Sequence, residues 1–163
     1  MRGRRLRVIG AAEFVDIPAW GVRGLAAKVD TGARTSALHV ENVQELGRGR
    51  VRFDVRLHRR LPERRISVEA VIRRRGRVRS SFGQIEPRLF VTVVLHIGPV
   101  RKRVELGLVD RKHMLYRMLL GRSALTASFL VDPGKRFLLT REVPSSASRA
   151  VSAPSRSLRP GSA

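Results

Sequence analysis

The sequence predicts a small all-β domain, a closed barrel rather than an open sheet. Three observations carry this expectation. Short apolar, β-rich runs recur between turn signals, helical periodicity is nearly absent, and Val51-Arg52-Phe53-Asp54-Val55-Arg56-Leu57 alternates without a break, as a half-buried strand must. A chain of 163 residues is the size of one ordinary domain, and its 42% hydrophobic content suffices for a packed core.

In chain order, strands are predicted at Leu6–Ile9, Glu13–Ile17, Leu25–Val29, Val51–Leu57, Ser67–Ile72, Leu89–Ile97, Arg101–Leu108, Met118–Leu120, Ser128–Val131 and Phe137–Thr140. His96-Ile97-Gly98-Pro99-Val100 joins two β-rich runs through a turn. Asp132-Pro133-Gly134-Lys135 fits a type II turn, with proline setting φ at its second position and glycine supplying positive φ at its third. One or two short helices are expected, near Ala33–His39 and from Ser123, as N-cap, to Ala127. The folded domain is expected over 5–142. From 143 to 163 the chain is mostly Ser, Ala, Pro and Arg, with too little apolar surface to offset its ordering entropy, and is read as a disordered tail.

Composition excludes several chemistries. With no cysteine there is no disulfide framework, thiolate zinc site or cysteine nucleophile. No apolar run approaches the roughly 20 residues that cross a bilayer. The apolar stretch Val8–Ala12, ended by Glu13, is too short for a signal-peptide core, so a cytoplasmic protein is expected. Thirty-four Lys plus Arg against 13 Asp plus Glu leave a net charge of +21, and all but four of the cations are arginine. Such a balance attracts nucleic acid, yet one Trp and one Tyr supply few rings for stacking bases, so nucleic acid is not read as the primary partner.

Two segments carry chemistry. In Leu25-Ala26-Ala27-Lys28-Val29-Asp30-Thr31-Gly32-Ala33 a strand of small and apolar residues delivers a carboxylate at its end, followed by a hydroxyl and a glycine. Small residues let the backbone turn tightly and leave the carboxylate accessible; the same pattern also suits a plain strand with an Asx turn. In Met118-Leu119-Leu120-Gly121-Arg122-Ser123-Ala124-Leu125 an apolar strand runs into glycine and a short helix.

Together, in this order, the two segments resemble the retropepsin-like aspartic proteases. More narrowly, Lys28-Val29-Asp30-Thr31-Gly32-Ala33-Arg34-Thr35-Ser36-Ala37-Leu38-His39 looks like the signature of a bacterial and archaeal family of small retropepsin-like endopeptidases. That family is often labelled an ATP-dependent zinc protease and is associated with the ribosomal-protein glutamate ligase. Val78-Arg79-Ser80-Ser81 with Gly83, Glu86 and Arg88, and Phe129-Leu130-Val131-Asp132-Pro133-Gly134, also match it. The resemblance covers roughly residues 8 to 140 and implies a retropepsin-type barrel.

What the resemblance implies is specific. Peptide hydrolysis by carboxylates needs a base and an acid, and this chain has one Asp-Thr-Gly. A two-fold homodimer supplies the second Asp30, and carboxylates about 3 Å apart share one proton. Asp30, Thr31 and Gly32 are the catalytic candidates, with Thr31 bonding across the axis. Gly32 and Ala33 line the cleft floor, and Gly121 and Arg122 pack behind the aspartate loop. A hairpin tip within Arg77–Gln84, carrying Ser80, Ser81 and Gly83, is the candidate flap. Arg34, Arg79, Glu86, Arg88 and Arg122 either bind a substrate carboxylate or form an ion-pair network around Glu86. Lined by arginines, the cleft would suit an acidic, glutamate-tailed peptide, and an ATP-grasp glutamate ligase would be an associated partner.

Other chemistries have less support. No cofactor is expected. His39, His58, His96 and His113 show no pair at metal-ligand spacing, which speaks against the zinc protease of the label, and no Gly-x-x-x-x-Gly-Lys-Ser/Thr would hold ATP. Ser80 and Ser81 lie outside any Gly-x-Ser-x-Gly elbow. Two alternatives remain: a non-catalytic basic module binding RNA or ribosomal protein on the same barrel, and a zinc-dependent protease as the family label says.

Overall fold

The computed structural model describes residues 5–80 and 82–140; Ser81 and the tail expected at 143–163 lie outside the described residues. The chain is built almost wholly of strands: β1 (Arg7–Ile9), β2 (Ala12–Ile17), β3 (Val22–Val29), β4 (Ser36–Gly47), β5 (Arg50–Arg56), β6 (Arg65–Val71), β7 (Arg74–Arg79), β8 (Ile85–Ile97), β9 (Val100–Val109), β10 (Met118–Leu120) and β11 (Phe129–Val131). A 3-10 turn at Pro18–Trp20 and one turn of helix, α1 (Arg122–Leu125), are the helical pieces among the described residues. None of these is long and apolar enough to cross a membrane.

Nine strands form one sheet in the order β10-β3-β2-β8-β9-β4-β5-β6, with β7 on β8. β10 lies between β3, to which it is parallel, and β4, to which it is antiparallel. A separate pair, β1 with β11, runs parallel with Val8 opposite Leu130. Alternation decides which side chains enter the core. Along β5, Val51, Phe53 and Val55 are fully buried while Arg50 and Arg52 face solvent. Phe53, Phe90, Ile17, Leu25, Leu38, Leu95 and Leu106 are among the largest members of that core. Each such side chain contributes roughly 1.5–3 kcal/mol by leaving water.

Several expectations need correction. Ala33–His39 does not form a helix: from Ser36 the chain is β4, because Ser36, Leu38 and Val40 alternate into the core and the segment pairs with β9 on one side and β10 on the other. Those partners are distant in sequence, and their ladder overrides a local helical preference. The arginines of β7 mask a strand in the sequence, yet it pairs with β8 from Arg74–Phe90 to Arg79–Ile85. Ser123 is not an N-cap: Gly121 holds that position, and no side chain caps the helix. The Asp132–Lys135 turn closes with Lys135 N–H on Asp132 O at 3.3 Å, and Asp132 Oδ1 accepts from Gly134 N at 3.0 Å. Gly134 does not adopt the positive φ that type II requires.

Phe137–Thr140 is not a strand either. A carboxylate takes the place of the ladder. Glu13 is fully buried on β2, and its Oε1 accepts from the backbone of Gly10 (2.8 Å), Leu138 (2.9 Å) and Leu139 (3.0 Å). Its Oε2 accepts from Thr140 N (2.9 Å) and from the Thr140 hydroxyl. Burial alone would raise the Glu13 pKa. The Thr140 hydroxyl and the amides of Gly10, Leu139 and Thr140 outweigh it and hold the carboxyl below its ordinary range. A stack of Phe14 on Phe137, 4.3 Å between centroids, completes the join.

A depressed pKa stabilises the fold above the unfolded-state value and loses that stability as pH falls through the folded-state value. Glu13→Gln should therefore cost about 2–4 kcal/mol at neutral pH, because an amide nitrogen meets amide donors. Thermal melts of the wild type should drop steeply below about pH 4, and those of the variant should be flatter there.

Candidate active site

The site is assembled by two segments that are some ninety positions apart in the chain. β3 delivers Asp30 at its end, and β10 lies alongside with Val29 opposite Leu120. The Asp30 N–H continues that ladder by one step, donating to Leu120 O at 2.9 Å. The chain then turns. Asp30 Oδ1 accepts from Gly32 N (3.1 Å) and Ala33 N (3.2 Å), which makes the segment an Asx-type turn and fixes the carboxylate in one rotamer. Asp30 is half-buried, and no described residue donates to its Oδ2. One carboxylate oxygen is therefore committed to the loop, and the other is open.

The segment after β10 braces the loop from behind. Arg122 Nη1 donates to Thr31 O at 3.1 Å and to Gly32 O at 3.0 Å. Arg122 N donates to Ala33 O at 2.8 Å, and Ser123 N to Arg34 O at 3.0 Å. Every carbonyl from Thr31 to Arg34 is thus satisfied by two residues. Gly121 is buried, and its N–H donates to Ser36 Oγ at 3.1 Å. A Cβ on Gly121 would lie 2.5 Å from Thr35 O and 2.6 Å from Thr35 C, backbone atoms that cannot swing aside. Glycine is required here by the close approach of two chains.

The residues of the second predicted group lie on the β7–β8 hairpin. Arg79 ends β7 opposite Ile85 and is exposed. Ser80 and Gln84 close the tip: Ser80 N donates to Gln84 O at 2.7 Å, and Gln84 N to Ser80 Oγ at 3.2 Å. Gly83 sits at φ +79° and Phe82 is 94% exposed. Ser81 lies outside the described residues. Arg88 is buried, its stem against Gly107. Burial, with Arg111 nearby, lowers the pKa of its guanidinium despite Glu86. Glu86 and Arg88 are 3.9 Å apart, a loose pair rather than a network. Within one chain no hydrogen bond or ion pair among the described residues joins this hairpin to the Asp30 loop.

An open groove of about 570 Å³ runs between the hairpin residues Ser80, Phe82 and Glu86 and the loop Asp110–Met114. In sequence that loop shows only as the charged run Asp110-Arg111-Lys112-His113 between two strands, with no motif to mark it as part of a groove. His39 pins it from below: buried, with Nδ1 accepting from Arg111 N at 2.9 Å and Nε2 3.4 Å from Glu41 Oε1. Burial pushes the His39 pKa down against the pull of Glu41, so the ring is a neutral structural hydrogen-bonder. Among the described residues no three His, Asp or Glu side chains converge as metal ligands.

Residues 8–142, which contain both the aspartate loop and the glycine-arginine segment that holds it, match the retropepsin-like aspartic endopeptidase RimB family. The chain belongs to the RimB-like family. A probable alpha-L-glutamate ligase of Shewanella halifaxensis is 38% identical over 138 residues, which cover 83% of this chain and 30% of that protein. One from Parasynechococcus marenigrum is 35% identical over 130 residues, 77% of this chain and 28% of that protein. The chain thus spans under a third of the length of these curated relatives. A Legionella pneumophila protein of unknown function, known from a crystal structure, superposes with a TM-score of 0.68 at 27% identity, covering 82% of this chain and 98% of its own.

Gly121→Ala should cost about 1–3 kcal/mol in chemical denaturation, since Thr35 must move. The same substitution should speed hydrogen exchange at the amides of Asp30 and Ala33 while leaving those of β5 unchanged.

Proposed function

We propose that the chain is an aspartic endopeptidase acting as a two-fold homodimer, with the Asp30 carboxylates of two copies holding the attacking water. The observation that carries this reading is the Asp30 loop itself, with Oδ1 fixed by two backbone amides and Oδ2 left open. Paired across an axis, two such carboxylates share one proton. The ionised member takes a proton from water as the hydroxyl adds to the peptide carbonyl carbon, and the protonated member donates to the carbonyl oxygen. Collapse of the tetrahedral species breaks the C–N bond, and the amine leaves with a proton returned by the pair. Thr31 and Gly32 complete the catalytic loop, and Ala33 lines the cleft floor. Arg122 and Gly121 are positioning residues.

Dimerisation is supported by the single Asp-Thr-Gly per chain and by apolar side chains on the β1–β11 pair, where Val8 is 46% and Leu130 54% exposed. The strands close as a barrel in this reading, since β10 pairs with both β3 and β4. The β7–β8 hairpin acts as the flap, with the groove beside Glu86 receiving substrate. A net charge of +21 and relatives named as glutamate ligases support an acidic, glutamate-tailed peptide as substrate and an ATP-grasp ligase as associated partner.

Asp30→Asn should lower peptide cleavage by about 10³-fold while the dimer and its melting temperature persist, and a chelator should change nothing. Activity retained in the variant, or lost on chelation with stoichiometric metal, would replace the aspartic mechanism. Leu130→Glu, assayed by sedimentation and by cleavage, should yield a folded, inactive monomer. An active monomer would end the paired-carboxylate scheme.

A further inference from the structure

A second surface lies on the outer face of β8 and β9 and borders the Asp30 loop at Arg34 and Ser123. Two grooves meet there at Arg103, which lines both. The first, about 320 Å³, is walled by Pro18, Trp20, Val94 and His96. The second, about 520 Å³, is walled by Arg34, Thr35, Arg74, Glu105 and Ser123. Antiparallel pairing sets Val94 beside Arg103 and His96 beside Arg101, so these four side chains share one face of the sheet. Arg101 and Arg103 are then about 6.6 Å apart along β9.

The two halves differ in chemistry. The cationic half holds three arginines against one carboxylate, and that carboxylate is already used: Arg74 donates to Glu105 Oε1 from Nε (2.9 Å) and Nη2 (2.6 Å). The same guanidinium lies 3.6 Å over the Phe90 ring, so it is held in place. Arg34 and Arg103 have no carboxylate partner among the described residues. The other half is flat and part-aromatic. Trp20 makes a T-shaped contact with buried Phe53, 5.5 Å between centroids, which fixes its ring, and it is only half-buried where it lines the groove.

We propose that this trough binds single-stranded nucleic acid, its phosphates on Arg34, Arg74 and Arg103 and a base against Trp20 and His96. Spaced guanidinium groups beside a fixed ring are what a strand with accessible base faces requires. A polyglutamate peptide would match the arginines but has no ring to set against Trp20. Arg34 belongs both to this trough and to the residues that follow the Asp30 loop, but Arg103 and Trp20 do not, so the test reads binding there and needs no peptidase activity.

The chain's one tryptophan is the reporter. Titrating the full chain with an oligouridylate of about 12 nucleotides should quench Trp20 fluorescence, with affinity falling as salt rises. Arg103→Ala, an exposed strand position, should weaken binding about tenfold and reduce the log–log salt slope by about 0.7. Arg60→Ala, on the β5–β6 loop outside the trough, should stay within about twofold of wild type. Three results would each overturn the proposal. These are no quench at saturation, equal losses for Arg103→Ala and Arg60→Ala, and a polyglutamate peptide of matched charge binding and quenching as well as the RNA.

Discussion

Everything at the candidate site depends on the insertion of β10, a strand of three residues, between β3 and β4. This places Leu120 O under the Asp30 amide and Gly121 against the Thr35 carbonyl. The backbone of residues 31–34 would otherwise turn four carbonyls toward partners of its own choosing. Arg122 and Ser123 take all four, so the loop has one satisfied conformation. Rigidity of the carboxylate follows from backbone accounting rather than from hydrophobic packing.

Acidic side chains are scarce in this chain, and their placement shows what each does. Glu41, Glu45, Glu69 and Glu105 each meet an arginine across strands, at sites mostly open to solvent. Such pairs contribute little individually, though Arg52, directly opposite Glu69, supports the β5–β6 register. Glu13 differs in kind. It is buried, bonds backbone amides instead of arginine, and ties the segment after β11 to β2. With so few carboxylates and so many guanidinium groups, much of the arginine surface keeps its field, and the trough at Arg103 is where that field meets a concave wall.

Much of the architecture was legible from local pattern. Val51–Leu57 and Met118–Leu120 were readable because alternation or a bounded apolar run is a property of neighbours in sequence. The Asp30 turn was readable for the same reason, since Asp, Thr and Gly form an Asx turn from adjacent residues. Segments whose state is set by distant partners misled. Ala33–His39 looks helical in isolation and becomes β4 because β9 and β10 flank it. Phe137–Thr140 looks like a strand and is instead clasped by one carboxylate some 125 positions earlier. Arginine-rich β7 gives no hydrophobic signal, because its pairing with β8 is made by backbone.

The sequence by itself determined the fold class, the aspartate and its turn, and the glycine-arginine segment that accompanies it, since each is encoded by residues next to one another. Tertiary structure alone decided that Gly121 must lack a Cβ, that Arg122 spends its Nη1 on loop carbonyls, and that Glu13 replaces a strand. Those outcomes turn on close approaches and unsatisfied backbone groups. Both exist only once remote stretches of chain have been brought together.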